Sequence, residues 1–245
     1  WTEVYNLTNE IIASGQYDLT PRYEDIWKEE SENNIESIFE IQAKGGEAPT
    51  AGVQGYSVTQ GARGQGGWGW GFNTPTEDLA NSYEANDERK EATIIFRGET
   101  LFDGRSVPST VTNERYNQKA YSSSNSDAWE NGKNIRILRF AEVLLMNAEA
   151  ALELGQDALT HLNKIRVRSG LGTVTSVNKL TIWQERRLEL AFEHDRYFDL
   201  VRQGRAGEVL RAHGKNFVDG KHEVFPIPQE QIDISGGVLT QNPLY

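Results

Sequence analysis

The chain has 245 residues, long enough to bury a sizeable core as one large domain or two modest ones. Asp and Glu outnumber Lys and Arg by 36 to 25, and the resulting net charge of −11 opposes attraction to phosphate backbones and anionic lipid, so nucleic acid is excluded as an expected partner. The absence of cysteine removes disulfides and Cys-ligated zinc.

The chain opens on "WTEVYNLTNEIIASGQY", with Trp1, Val4, Tyr5, Ile11 and Ile12 at helical spacing and no capping residue before them. We therefore read residue 1 as lying inside a longer protein. The first helix is expected to stop near Ser14 and Gly15. Residues 33–43 read as a short strand carrying Ile38, Phe39 and Ile41. From Gly45 to Gly71 the composition is that of a loop. Thr76 and Glu77 mark a helix start after Pro75, with Leu79, Ala80 and Tyr83 on one face, and "EATIIFRGETLF" returns to strand-like content. Residues 104–134 are polar and loop-like.

At residue 135 the character changes. The apolar run 135–154 is interrupted by Arg139, Glu142 and Glu149, which rules out a bilayer span, and reads as a helix closed by Gly155. Residues 157–169 form a second helix closed by Gly170, giving an αα-hairpin. A third long helix is expected from Thr181, whose spacing to Gln184 matches a capping box, to Gly204. The tail, punctuated by Pro226, Pro228 and Pro243, reads as irregular. Two regions follow: 1–134, loop-rich and ligand-binding, and 135–245, a helical hairpin, a long third helix and the tail.

On the third helix Glu185, Glu189, Glu193, Arg196, Asp199 and Arg202 fall near one stripe. Carboxylates for glycoside chemistry must face each other across a cleft, so this array reads as a structural salt-bridge lattice. The histidines His161, His194, His213 and His222 form no metal-binding spacing. The glycine run lacks the Gly-Lys-Ser/Thr ending of a phosphate loop, and no Gly-x-Ser-x-Gly elbow is present. No catalytic residue, metal or cofactor is expected.

The segment "GARGQGGWGWGFNTPTEDL" sets Trp68, Trp70 and Phe72 among glycines. The rings either plug a core or present a flat platform. In the second case the apolar face of a sugar ring stacks on an indole, while Arg63, Gln65 and Asn73 serve its hydroxyls. In an extended segment Trp68 and Trp70 point to the same side, but alternate glycines allow sharp bends, and we expect one ring presented and the other buried. Tyr121 and Trp129, in the polar stretch 104–134, compete for the same role.

In order, "ILRFAEVLLMNAEAALELG", "LNKIRVRSGL", "QERRLELAFEHDRYFDLVRQG", "VFPIPQEQI" and "LTQNPLY" resemble the SusD/RagB family of nutrient-binding outer-membrane lipoproteins, as do "ESIFEIQ" and "GGWGWGFNTPTEDLANSYEANDERKEAT" earlier in the chain. The resemblance implies an all-α-dominated fold, a tetratricopeptide-type α-α superhelix decorated with long loops and short β-strands. It further implies a non-enzymatic protein of the cell surface, lipid-anchored in the outer membrane through an N-terminal cysteine not present in this chain. Such a protein captures oligosaccharides for a TonB-dependent SusC-like transporter. Members are about twice this length, so an N-terminal half of the same protein is an expected partner, and stacking neighbours for the hairpin are expected from that half or from the third helix. The alternatives are a peptide-capturing homologue and a helical scaffold that binds only protein.

Overall fold

The computed structural model describes residues 1–45, 55–122 and 132–245. By its contacts the chain divides into two compact units, Trp1–Glu193 and His194–Tyr245. That boundary does not follow the compositional change at 134/135, because residues on both sides of that point build one core.

In the first unit, α1 (Thr2–Ala13) ends at Ser14, and Gly15 takes the left-handed conformation (φ +64°) that closes a helix without a Cβ penalty. Its partner is α5 (Phe140–Glu153), whose alanines let neighbouring backbones approach closely. Asn147 Nδ2 donates to Thr8 Oγ1 (2.9 Å) and Asn9 Oδ1 (3.0 Å), so the polar atoms where the two helices meet are satisfied. Gly155 (φ +67°) turns the chain into α6 (Leu159–Arg168), completing the expected hairpin. Phe140, Leu144, Leu145, Ala148, Leu162, Ile165 and Ile182 form one continuous buried cluster. The last of these belongs to α7 (Lys179–Glu189), which packs on α5. The hairpin therefore finds its neighbours in α7, as the sequence suggests, and also in α1, whose role the sequence did not suggest.

Residues 135–139, expected as the first turns of α5, instead form a strand, β4 (Ile135–Arg139), antiparallel to β1 (Ser37–Ile41), with Glu40 opposite Arg136 and Ile41 opposite Ile135. The strand wins because it brings Arg136 onto Glu40 (Nε–Oε1 3.4 Å) in a buried environment and places the buried Arg139 within the ion network described below. Two short helices, α2 (Tyr56–Gln60) and α3 (Glu77–Ser82), flank the glycine-rich loop. The first lies in a stretch read as loop. The second begins where expected, with Thr76 Oγ1 accepting the Leu79 N–H. Next come α4 (Arg89–Thr93) and β2 (Ile94–Phe96), the latter paired with β3 (Arg115–Asn117).

The third helix is not continuous to Gly204. It starts two residues before Thr181, capped by Asn178 Oδ1 accepting the Thr181 N–H (3.0 Å), and α7 stops at Glu189. Phe192 (φ +67°) and His194 (φ +77°) take left-handed conformations that no helix tolerates. The break lets Glu193 turn inward toward Arg139 and Lys119.

The second unit contains α8 (Arg196–Arg202), α9 (Ala206–Ala212) and α10 (Gln229–Ile234), so the tail from Val224 read as irregular holds one short helix, α10, and α9 precedes it. Leu200, Ala206 and Phe217 form its core, with Tyr197, Val201, Val209 and Leu210 packed around them. Among the described residues no helix is long and apolar enough to cross a membrane.

Candidate functional site

The glycines of "GGWGWGF" are set by close backbone approach. After α2 the chain folds back on itself: the N–H groups of Trp68 and Gly69 both donate to Ala62 O (2.8 Å each), Trp70 N–H to Val58 O (2.9 Å), Gly71 N–H to Gly61 O (2.9 Å) and Phe72 N–H to Thr59 O (2.9 Å). A Cβ at Gly67 would sit 2.2 Å from Ala62 O, and one at Gly69 2.4 Å from Val58 O. Neither fits without moving main chain. Gly69→Ala is therefore expected to destabilise the protein by about 1–3 kcal/mol through overpacking, read as a lowered melting temperature.

The fold-back sends the two tryptophans to different environments, so the common side that alternation implies for an extended strand is not what forms. Trp68 is half-buried against a cluster of Ala62, Ile95, Leu101, Val107, Val111, Tyr116 and Tyr121. Its ring meets Tyr121 edge-on at 5.4 Å, and the Arg105 guanidinium lies 4.7 Å from its centroid. Trp70 is 42% exposed and Phe72 61%, with their rings 6.4 Å apart and nearly perpendicular. The bonds that Trp70 N–H and Phe72 N–H donate to Val58 O and Thr59 O hold the backbone of both residues in place, so these rings stand on a fixed frame.

The polar candidates sort unevenly. Arg63 is exposed, and its stem lies beside Gly71, where a Cβ would come within 2.8 Å of Arg63 Cβ. Its carbonyl accepts from Thr112 N–H (2.7 Å) and the Tyr116 hydroxyl (3.2 Å), which anchors the residue while its head stays at the surface. Asn73 is exposed and left-handed (φ +49°), and its amide nitrogen donates to Gln60 Oε1 (2.8 Å), an oxygen that also accepts from Asn117 Nδ2 (2.8 Å). Much of Asn73 thus serves the loop. Tyr121 is buried at 3% exposure, with its hydroxyl donating to Asp103 Oδ2 (2.7 Å), and supports Trp68 from within instead of offering a surface ring. Burial, with the Asp103 carboxylate beside it, pushes its ionisation above the usual tyrosine range. Trp129 lies outside the described residues.

The charged array is structural. Glu189 is fully buried, its carboxylate taking Arg139 Nη1 (2.6 Å), Arg89 Nη1 (3.2 Å) and Arg168 Nη2, while its carbonyl accepts from Arg139 Nη2 (2.8 Å), Lys119 Nζ (3.0 Å) and the Tyr23 hydroxyl (2.6 Å). Glu185 pairs with Arg89 (2.5 Å) and Arg166 (3.1 Å), and Glu193 with Arg139 and Lys119 (2.7 Å each). Burial alone would raise the carboxyls of Glu189 and Glu193, but the surrounding guanidiniums outweigh it and hold both below the ordinary range. Ionised carboxylates locked to arginines are poor proton donors, and the side chains of Glu189 and Glu193 are buried. The stripe reading extends only to Glu189, because the chain leaves the helix there. Among the described residues no group of His, Asp or Glu side chains converges as metal ligands.

A cleft of about 600 Å³ lies in the same unit, lined by Trp27, Phe96, Phe102, Glu91, Glu99 and Gln118 among others. The sequence reading missed it. Its rings come from segments some seventy residues apart, joined by the β2–β3 ladder and the turn Tyr23–Trp27, and no local spacing announces such a meeting.

A profile of the SusD family matches residues 35–245. SusD-like protein P2 of Formosa agariphila is 27% identical over 248 aligned positions, covering 86% of this chain and 48% of its own length. The surface glycan-binding protein A of Bacteroides thetaiotaomicron, solved in complex with laminarihexaose, superposes with a TM-score of 0.80 at 30% identity over 97% of this chain and 58% of that protein. The protein of the same name from Bacteroides fluxus gives 0.82 at 27% identity over 99% and 58%. The chain thus spans about half the length of the curated relative it matches. With the helical hairpin, its α1 and α7 neighbours and the glycine-held aromatic loop in place, the match over residues 35–245 makes this chain a member of the SusD family.

Proposed function

We propose that the protein captures oligosaccharides at the cell surface without chemically changing them, and that Trp70 is the ring on which a sugar stacks. The observation that carries this reading is the Trp70 ring, exposed with Phe72 on a backbone fixed by main-chain hydrogen bonds. An indole held in this way loses little conformational freedom when a pyranose stacks on it. Arg63 and the Asn73 carbonyl oxygen are the polar groups available for hydroxyls beside it. Trp68 serves as a support for the loop. The laminarihexaose complex of a relative makes β-glucan oligosaccharides the first ligands to try.

Delivery of the captured glycan to a TonB-dependent SusC-like transporter, and lipid anchorage in the outer membrane, complete the proposal as the family resemblance implies them. The N-terminal half that longer relatives carry is a further proposed partner. Isothermal titration against laminari-oligosaccharides, other neutral oligosaccharides and a set of short peptides tests the capture claim, with a reducing-end assay on the same mixtures. Saccharide binding without release of reducing ends is expected. Binding to peptides alone would transfer the protein to the peptide-capturing branch, and steady turnover abolished by one Glu or Asp substitution would make it an enzyme.

A further inference from the structure

The cleft at Phe102 has no part in the platform at Trp70, and its chemistry is distinctive. Phe102 is 44% exposed at its rim, held from behind by an edge-on contact with Tyr121 at 5.8 Å. Phe96, half-buried, and Trp27 supply two more aromatic walls. The Trp27 indole N–H is itself buried and finds no acceptor among the described residues, so Trp27 enters the site only as an aromatic wall. Glu91 and Glu99 line the same space, with Gln118 and Thr100. Glu99 is held in place by accepting the Phe96 N–H (2.8 Å).

Rings, carboxylate acceptors, an amide and a hydroxyl together match a ligand that is both apolar-faced and rich in hydroxyls. Its charge can be narrowed as well. Lysine ammoniums already sit over the rings, Lys28 Nζ 5.4 Å from the Phe102 centroid and Lys90 Nζ 6.0 Å from that of Phe96, so a cationic ligand would displace or oppose them. The carboxylates of Glu24, Glu91 and Glu99 in the lining outnumber the Lys28 and Lys90 ammoniums over its rings, which opposes sulfated or uronate sugars. A volume of about 600 Å³ lies within the range of small-ligand sites.

From these features we infer that the cleft is a second saccharide site, selective for neutral sugars, which rests on the glycan-capture reading above but uses a different set of residues. Two contact points on one protein raise the residence of a long glycan by effective concentration without tightening either site alone.

Titration of the whole chain with laminaritriose, too short to require both sites, tests this directly. Two binding events per chain are expected. Phe102→Ala should weaken one of them about ten-fold or more and leave the other intact, while Trp70→Ala should do the reverse. Because Phe102 is a rim residue, its replacement should leave the melting temperature nearly unchanged; Glu91→Gln, at an exposed position, provides an independent variant and should weaken the same event about three-fold or more. A single event per chain, lost in Trp70→Ala and unmoved by Phe102→Ala and Glu91→Gln, would overturn the second site and leave glycan capture standing. No binding of any neutral oligosaccharide would overturn both. Equal affinity of the Phe102-dependent event for a sulfated trisaccharide, or its occupation by peptides instead of saccharide, would overturn the ligand class assigned here.

Discussion

Glu189→Ala is expected to cost about 3–5 kcal/mol of folding free energy, because removing one member of a buried ion network leaves the others charged and unpaired. Three guanidiniums converge on this carboxylate, from Arg89, Arg139 and Arg168, and each stays buried when it is gone. The shared partners amplify the loss: Arg139 also holds Glu36 (2.7 Å) and Glu193, so one substitution disturbs the ends of β1, β4 and α7 together. An exposed helix stripe of ion pairs would contribute far less. The burial of every partner raises the effect. Chemical denaturation with linear extrapolation measures the loss, and a change below about 1 kcal/mol would show that the network relaxes or hydrates when opened.

The second large effect is the loss of stability in acid. The Glu189 and Glu193 carboxyls titrate lower in the folded protein than in the unfolded chain, where a Glu sits near about 4.3. At low pH the unfolded state therefore binds more protons than the folded one. The stabilisation is fully present above the unfolded value and is lost as pH falls from about 5 through the folded values. Lysines shape the other side. Burial pushes Lys119 down to about 8 and Lys133 to about 7, below the unfolded value near 10.4, so in that interval the unfolded chain again holds more protons. Their contribution to stability rises as pH climbs from about 7 toward 10. Melting temperatures measured across pH should fall steeply below about 4 and hold or rise from 7 to 9. A maximum near pH 5 with decline on both sides would contradict the assignment.

How far the residues announced this structure depends on how local each signal is. The αα-hairpin was legible because its apolar period, Gly155 and Gly170 all lie within the segment they shape. Thr76 was legible as a cap for the same reason. Residues 135–139 carried a helical pattern, and only pairing with a strand about a hundred positions earlier makes them β. The break after Glu189 is equally non-local, since the partners that turn Glu193 inward are Arg139 and Lys119.

The aromatic loop was legible as unusual, while the fate of each ring was not. Gly67 and Gly69 are glycines because Ala62 O and Val58 O stand where their side chains would be, and that approach decides which tryptophan is covered. Tyr121 sat in a polar stretch that suggested exposure, but its hydroxyl is answered by Asp103 and its ring by Trp68 and Phe102. Family motifs carried the overall assignment, and the profile match over residues 35–245 spans the stretches that carry them.

The most direct test of glycan capture through the presented ring is to measure oligosaccharide affinity and thermal stability together on Trp70→Ala and Trp68→Ala. For Trp70 we expect binding to weaken by about 1–3 kcal/mol with little change in melting temperature, as for an exposed stacking contact. For Trp68, which packs on the cluster of Ala62, Ile95 and Tyr121, the larger cost should fall on stability, about 2–4 kcal/mol. A Trp70 variant that binds laminari-oligosaccharides as tightly as the unaltered protein would contradict the account.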